Sequence, residues 1–123
     1  MARILVADDE ESIREMLKDA LEMCGYGVDT AADGTMAVQM LREAPYDLVL
    51  LDRNMPKMDG LQALVAIRRD SSPKLRGMRV IMCTGAATGR EIDESFAAGA
   101  TDYLPKPIDL KTLFAKVEKT LKR

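Results

Sequence analysis

Apolar residues along this chain fall into two alternating kinds of segment. Short solid runs occur at Arg3–Ala7 (RILVA), Asp47–Leu51 (DLVLL) and Arg79–Cys83 (RVIMC). A run of this kind, bounded by polar chain, predicts a strand covered on both faces. Gly27–Ala31 (GVDTA) carries more polar residues and predicts a strand nearer a sheet edge, and Asp102–Leu104 predicts a short fifth strand. Between the runs, apolar residues recur at helical spacing. The stripes are Ile13, Leu17, Ala20, Leu21 and Cys24; then Ala37, Met40, Leu41 and Ala44; then Leu61, Leu64 and Val65, continued by Arg68. Two more follow, Ile92, Phe96 and Ala100, and Leu110, Leu113, Phe114, Val117 and Leu121.

The punctuation agrees with this division. Ser12 with Glu15, and Thr88 with Glu91, have capping-box spacing. Gly25 and Gly27 stop the first helix, Asp33-Gly34 makes a turn, and Pro45 ends the second helix. The third helix ends in the polar Asp70–Gly77 stretch, Pro105-Lys106-Pro107 breaks the chain, and Asp109 caps the last helix. Strand and helix thus alternate through five βα units. That predicts an α/β fold, a doubly wound parallel sheet with helices on both faces. Sites in such sheets lie at the carboxyl ends of the strands. Asp8, Asp9, Asp52, Thr84 and Lys106 each fall just beyond a predicted strand end.

Composition narrows the picture. The 123 residues are 47% apolar and 31% charged, with no linker or repeat, so one globular domain over residues 1–123 is expected. No run is long enough for a transmembrane helix, and the opening apolar stretch is too short for a signal peptide. A net charge of −2 argues against nucleic-acid or anionic-membrane partners. Cys24 and Cys83 stand apart, which predicts two buried, reduced thiols in a cytoplasmic protein. The chain has no histidine, so imidazole acid–base catalysis and histidine metal ligation are excluded.

Carboxylates, a hydroxyl and a lysine remain. Like charges about 4 Å apart cost on the order of 4 kcal/mol at an effective dielectric near 20. Asp8, Asp9 and Asp52 therefore need positive charge beside them. Lys106 supplies one charge, and an oxygen-only donor set suits a hard divalent cation, magnesium or calcium. Beside such a cation an aspartate can act as a nucleophile toward phosphorus, forming an aspartyl phosphate. Each residue taken alone has a plainer reading: Asp8 and Asp9 suit a helix N-terminus, Asp52 a loop that ends a strand, and Lys106 a surface position.

Together, Asp8-Asp9, the Asp52–Gly60 segment DRNMPKMDG, Thr84, and the Gly99–Pro107 segment GATDYLPKP resemble the receiver domains of two-component response regulators, over essentially the whole chain. The resemblance implies a flavodoxin-like (βα)5 sheet in the order 2-1-3-4-5. It implies Asp52 as phosphoacceptor, and magnesium held by Asp8, Asp9, Asp52 and the Asn54 carbonyl. It gives Lys106 as the phosphoryl partner, Thr84 and Tyr103 as switch residues, and a cis Lys106-Pro107 bond. Arg53, Asn54 and Ala86 would flank the pocket mouth, and Gly85 departs from the more usual alanine. A histidine kinase or histidine phosphotransfer protein would be the donor. An effector protein would bind the face formed by the fourth helix, fifth strand and last helix. The last helix carries Lys111, Lys116, Lys119, Lys122 and Arg123, either a solvated basic face or part of that docking face.

The expected function is a phosphorylation-switched signalling domain, a monomer or weak dimer. It is not an enzyme, although it promotes its own phosphorylation and dephosphorylation. At this length it is expected to stand alone, without an output module. Other classes fit less well. Aspartate-nucleophile phosphatases resemble a pattern with a second Asp two residues after the nucleophile, where this chain has Asn54. A flavodoxin-like cofactor binder needs phosphate-cradling donors after strand one, where this chain has Asp-Asp-Glu-Glu. A phosphorylation-independent interaction module, or a receiver piece of a larger regulator, would keep the same fold.

Overall fold

In a computed structural model that describes residues 1–85 and 88–122, the five strands form one sheet with order 2-1-3-4-5, all neighbours parallel. The elements are β1 (Arg3–Ala7), α1 (Glu11–Met23), β2 (Gly27–Ala31), α2 (Gly34–Glu43), β3 (Leu48–Asp52), α3 (Gly60–Arg68), α4 (Pro73–Arg76), β4 (Val80–Thr84), α5 (Gly89–Ala97), β5 (Asp102–Pro105) and α6 (Leu110–Leu121). β3 and β4 each run one residue further than their apolar runs suggest. Asp52 and Thr84 therefore end their strands inside the ladder, with Asp52 in register with Cys83. No helix among the described residues is long and apolar enough to cross a membrane.

The two-residue period of the strands divides the core. Leu5, Ala7, Val49, Leu51, Val80 and Met82 face one side, with Ala37, Val38 and Leu41 of α2 and Ala63, Leu64 and Ile67 of α3. Ile4, Val6, Leu48, Leu50, Ile81 and Cys83 face the other, with Leu17 and Leu21 of α1 and Leu113 and Val117 of α6. A large apolar side chain fully buried in this way contributes about 1.5–3 kcal/mol. α5 departs from the rule: its only buried residue is Ser95, Ile92 is half-buried, and Phe96 is 43% exposed. The stripe through Ile92, Phe96 and Ala100 thus buries only Ala100, which lies beyond the helix.

Several local expectations are corrected. Cys24 is exposed, because it is the C-cap of α1, in the turn that leads from the helix into β2. Ser12 lies inside α1, whose N-cap is Glu10 with no side-chain bond; the Glu10 N–H is taken by Asp8 Oδ1 at 2.9 Å instead. Asp33 is an N-cap, accepting from Met36 N at 2.8 Å. The polar Asp70–Gly77 stretch contains the short α4, which buries Leu75. Asp59 and Gln62 form a complete capping box on α3, which sequence inspection missed.

Cys83 is buried as expected, and burial pushes its thiol up to about 12. A thiol reagent at neutral pH should therefore label one cysteine of the folded protein, Cys24, and a second only after denaturant. Two fast equivalents in the native state would contradict the placement of Cys83.

Candidate functional site

The sheet positions the site by extending its hydrogen bonding beyond the strand ends. Asp8 N donates to Ala31 O at 3.1 Å, Arg53 N to Cys83 O at 2.8 Å and Lys106 N to Thr84 O at 2.8 Å. These bonds fix the residues that follow β1, β3 and β5 at one edge. The Lys106-Pro107 bond is cis, as the resemblance implies.

The loop after Asp52 is pinned by two glycines. Gly60 N donates to Arg53 O and Gly34 N to Met58 O, each at 3.0 Å. A Cβ on Gly60 would stand 2.2 Å from Asp52 O, and one on Gly34 would stand 2.1 Å from Met58 O. Only glycine permits these approaches. Gly85 differs: a Cβ there meets nothing within 4 Å, so this departure from alanine answers no steric demand.

Asp8 and Asp52 are 2% and 3% exposed, and Lys106 stands between them. Its Nζ donates to Asp8 Oδ2 at 3.0 Å and lies 3.2 Å from Asp52 Oδ2. Asp52 Oδ1 accepts from Asn54 N at 3.2 Å. Two buried carboxylates thus share one ammonium. Burial and the Asp8 charge push Asp52 up to about 6, against the pull of Asn54 N–H and Lys106. Burial opposes the Lys106 ammonium, but the hydrogen bond to Asp8 and the Asp52 charge outweigh it and hold the group above the ordinary lysine value.

Carboxylate oxygens of Asp8, Asp9 and Glu10 lie within 4.8 Å of one another, with Asp9 and Glu10 exposed. This all-oxygen set beside an excess of buried negative charge fits a hard divalent cation. Glu10 was not singled out from the sequence; its signal was the unbroken acidic run Asp8–Glu11.

Thr84 is 1% exposed, and its hydroxyl donates to Glu91 Oε2 at 3.1 Å. The expected Thr88–Glu91 box is therefore half formed: Thr88 Oγ1 accepts from Glu91 N, while the Glu91 side chain turns to Thr84. Arg53 reaches sideways to α5, donating to Glu91 O at 3.3 Å and Ser95 Oγ at 3.4 Å. Tyr103 is half-buried, edge-on to Phe96 with ring centres 6.1 Å apart. Lys116 lies over the Tyr103 ring and pairs with Asp102, so it leaves the basic outer face of α6. Lys122 is paired with Glu118, while Lys111 and Lys119 are exposed. Ala86 and Arg123 lie outside the described residues.

Comparison with known proteins gives a consistent picture. Residues 4–118 match the family model described as response regulator receiver domain. The chain is 39% identical over 125 residues to the transcriptional regulatory protein CpxR of Escherichia coli, covering all of this chain and 50% of that protein. It is 35% identical over 123 residues to RpaA of Synechocystis, named as a DNA-binding dual master transcriptional regulator, again covering 50% of that protein. The chain thus spans about half the length of these curated relatives. Among solved structures, the chemotaxis response regulator CheY4 of Vibrio cholerae superposes with a TM-score of 0.91 at 35% identity, covering 98% of both chains.

Proposed function

The chain belongs to the response regulator receiver domain family, and from that premise we propose that Asp52 is its phosphoacceptor and that phosphorylation switches a partner-binding face. The observation that carries this reading is the buried Asp8–Lys106–Asp52 arrangement at the strand ends. In the proposed step an Asp52 carboxylate oxygen forms a bond to phosphorus while the donor's P–N bond breaks. The leaving imidazole keeps the bonding pair and is protonated. The donor imidazole is that of a histidine kinase or phosphotransfer protein, consistent with a chain that has no histidine of its own.

Lys106 neutralises charge on the transferring group, and the Thr84 hydroxyl donates to a phosphoryl oxygen once the group is in place. Asp8, Asp9, Asp52 and the Asn54 carbonyl would hold magnesium, with Glu10 at the rim. The ion would supply further positive charge where negative charge develops. Tyr103 is the second switch residue in this reading, and the α5–β5–α6 face the docking surface for an effector in the cytoplasm. The curated relatives are twice as long and are named as regulators. Their length supports a second reading, in which this receiver governs an attached output region. The size of the protein recovered from its native cells separates the two.

Intact-mass measurement after incubation with acetyl phosphate tests the chemistry. One phosphoryl group should add in magnesium, and none in chelator or in Asp52→Asn. Equal addition in wild type and Asp52→Asn would refute the assignment. Because some receivers take phosphoryl groups only from their own kinase, a blank result is followed by beryllofluoride titration, where absence of binding counts against the site itself.

A further inference from the structure

The residues around the site make a set of contacts that the phosphoacceptor reading does not use. α5 has no fully buried apolar side chain to fasten it, yet its inner face is tied to two residues of the site. Thr84, at the end of β4, donates to Glu91. Arg53, the neighbour of Asp52, donates to Glu91 O and Ser95 Oγ and lies 3.6 Å from Glu94 Oε1. Ser95 Oγ donates in turn to Glu91 O at 3.0 Å. Polar contacts with the site therefore stand where apolar packing holds α1, α2, α3 and α6.

A hydroxyl has one proton to donate. Thr84 cannot give it to Glu91 and to a phosphoryl oxygen at the same time. We propose that Glu91 is a positioning residue that latches the resting state: its carboxylate holds the Thr84 hydroxyl on α5, and phosphorylation must break this bond. The inference rests on the reading of Asp52 as phosphoacceptor. The acceptor competes with Glu91 for one proton, so the latch sets how readily the site closes. Loss of the Thr84 bond also removes one of the polar ties on α5, which carries the event to the Phe96–Tyr103 contact. A ligand shifts such an equilibrium only by its differential affinity for the two states, so weakening the resting state raises apparent affinity.

The test is titration of the full chain with beryllofluoride in magnesium, followed by amide NMR. Wild type is compared with Glu91→Ala, Glu91→Gln and Asp93→Ala. Asp93 is an exposed acid of the same helix, so its removal changes charge equally without touching Thr84. Glu91→Ala should bind about fivefold tighter than wild type, in keeping with loss of a charge-assisted hydrogen bond from the resting state. Glu91→Gln, which keeps a neutral acceptor, should fall between, and Asp93→Ala should match wild type. A merely structural Glu91 would give equal or weaker binding in Glu91→Ala, and that result overturns the latch. Equal tightening in all three variants also overturns it, leaving charge alone as the cause. No binding by wild type would overturn the phosphoacceptor reading and the latch with it.

Discussion

Asp52→Asn should melt above the wild-type protein at pH 7 in metal-free buffer, by the equivalent of up to about 3 kcal/mol. The cause is the crowding of Asp8 and Asp52 around one lysine. Asp52 titrates at about 6 in the folded chain, against an ordinary value of 3.8. Below the ordinary value its carboxyl is neutral in both states and adds no cost. As pH rises, the unfolded chain releases that proton first and the folded chain retains it, so stability falls and is lowest above about 6. Asparagine keeps the shape without the charge, and Lys106 keeps Asp8 as partner. The difference in melting temperature should therefore be small at pH 4, open as pH rises to about 7, and stay constant above that. Comparing the two proteins cancels the acids whose titration is lowered elsewhere, such as Asp29, Asp70 and Asp109. Saturating magnesium should stabilise wild type more than the variant and narrow the gap. Thermal melts across this range check the sign, and an Asp52→Asn protein less stable at pH 7 would contradict it.

Gly60→Ala should cost 3 kcal/mol or more, as roughly expected when a methyl is forced against backbone that cannot yield. The new Cβ would meet Asp52 O at 2.2 Å and Arg53 Cα at 2.8 Å. Relief requires moving the start of α3, which costs the Gly60 N–Arg53 O bond and loosens Ala63, Leu64 and Ile67 in the core. It also displaces the loop that carries the Asn54 N–H to Asp52. The control is Gly89→Ala, at an exposed first position of α5 where a Cβ meets nothing within 4 Å. That change should be neutral or stabilise by about 0.4–1 kcal/mol through the unfolded state. Urea unfolding of both variants checks the contrast, and equal midpoints would show that the close approach at Gly60 is not enforced.

What the sequence made legible follows from how local each cause is. The runs RILVA, DLVLL and RVIMC predicted the three central strands because covered parallel strands leave no polar face. The carboxyl ends of these strands and of the short fifth strand then grouped Asp8, Asp9, Asp52, Thr84 and Lys106. Strand order came only with the family resemblance, since periodicity does not say which strands are neighbours. Cys24 and Phe96 fit helical stripes yet are exposed: spacing identifies one side of a helix but not where its packing stops. Glu91 matched a capping box, but a buried hydroxyl from a strand competed for the same carboxylate. Arg53 was placed at the pocket mouth, but its ties to α5 gave no signal because those partners lie 38 to 42 residues away. Tertiary competition for polar groups thus accounts for what was missed around the site.

The most direct measurement of Asp52 as phosphoacceptor is borohydride trapping after phosphoryl transfer in magnesium, followed by peptide mapping. Reduction converts an aspartyl phosphate to homoserine and marks the side chain that carried the group. Homoserine at position 52, dependent on magnesium and on the donor, is the predicted result. Reduction at another acid, with Asp52 intact, would contradict the account.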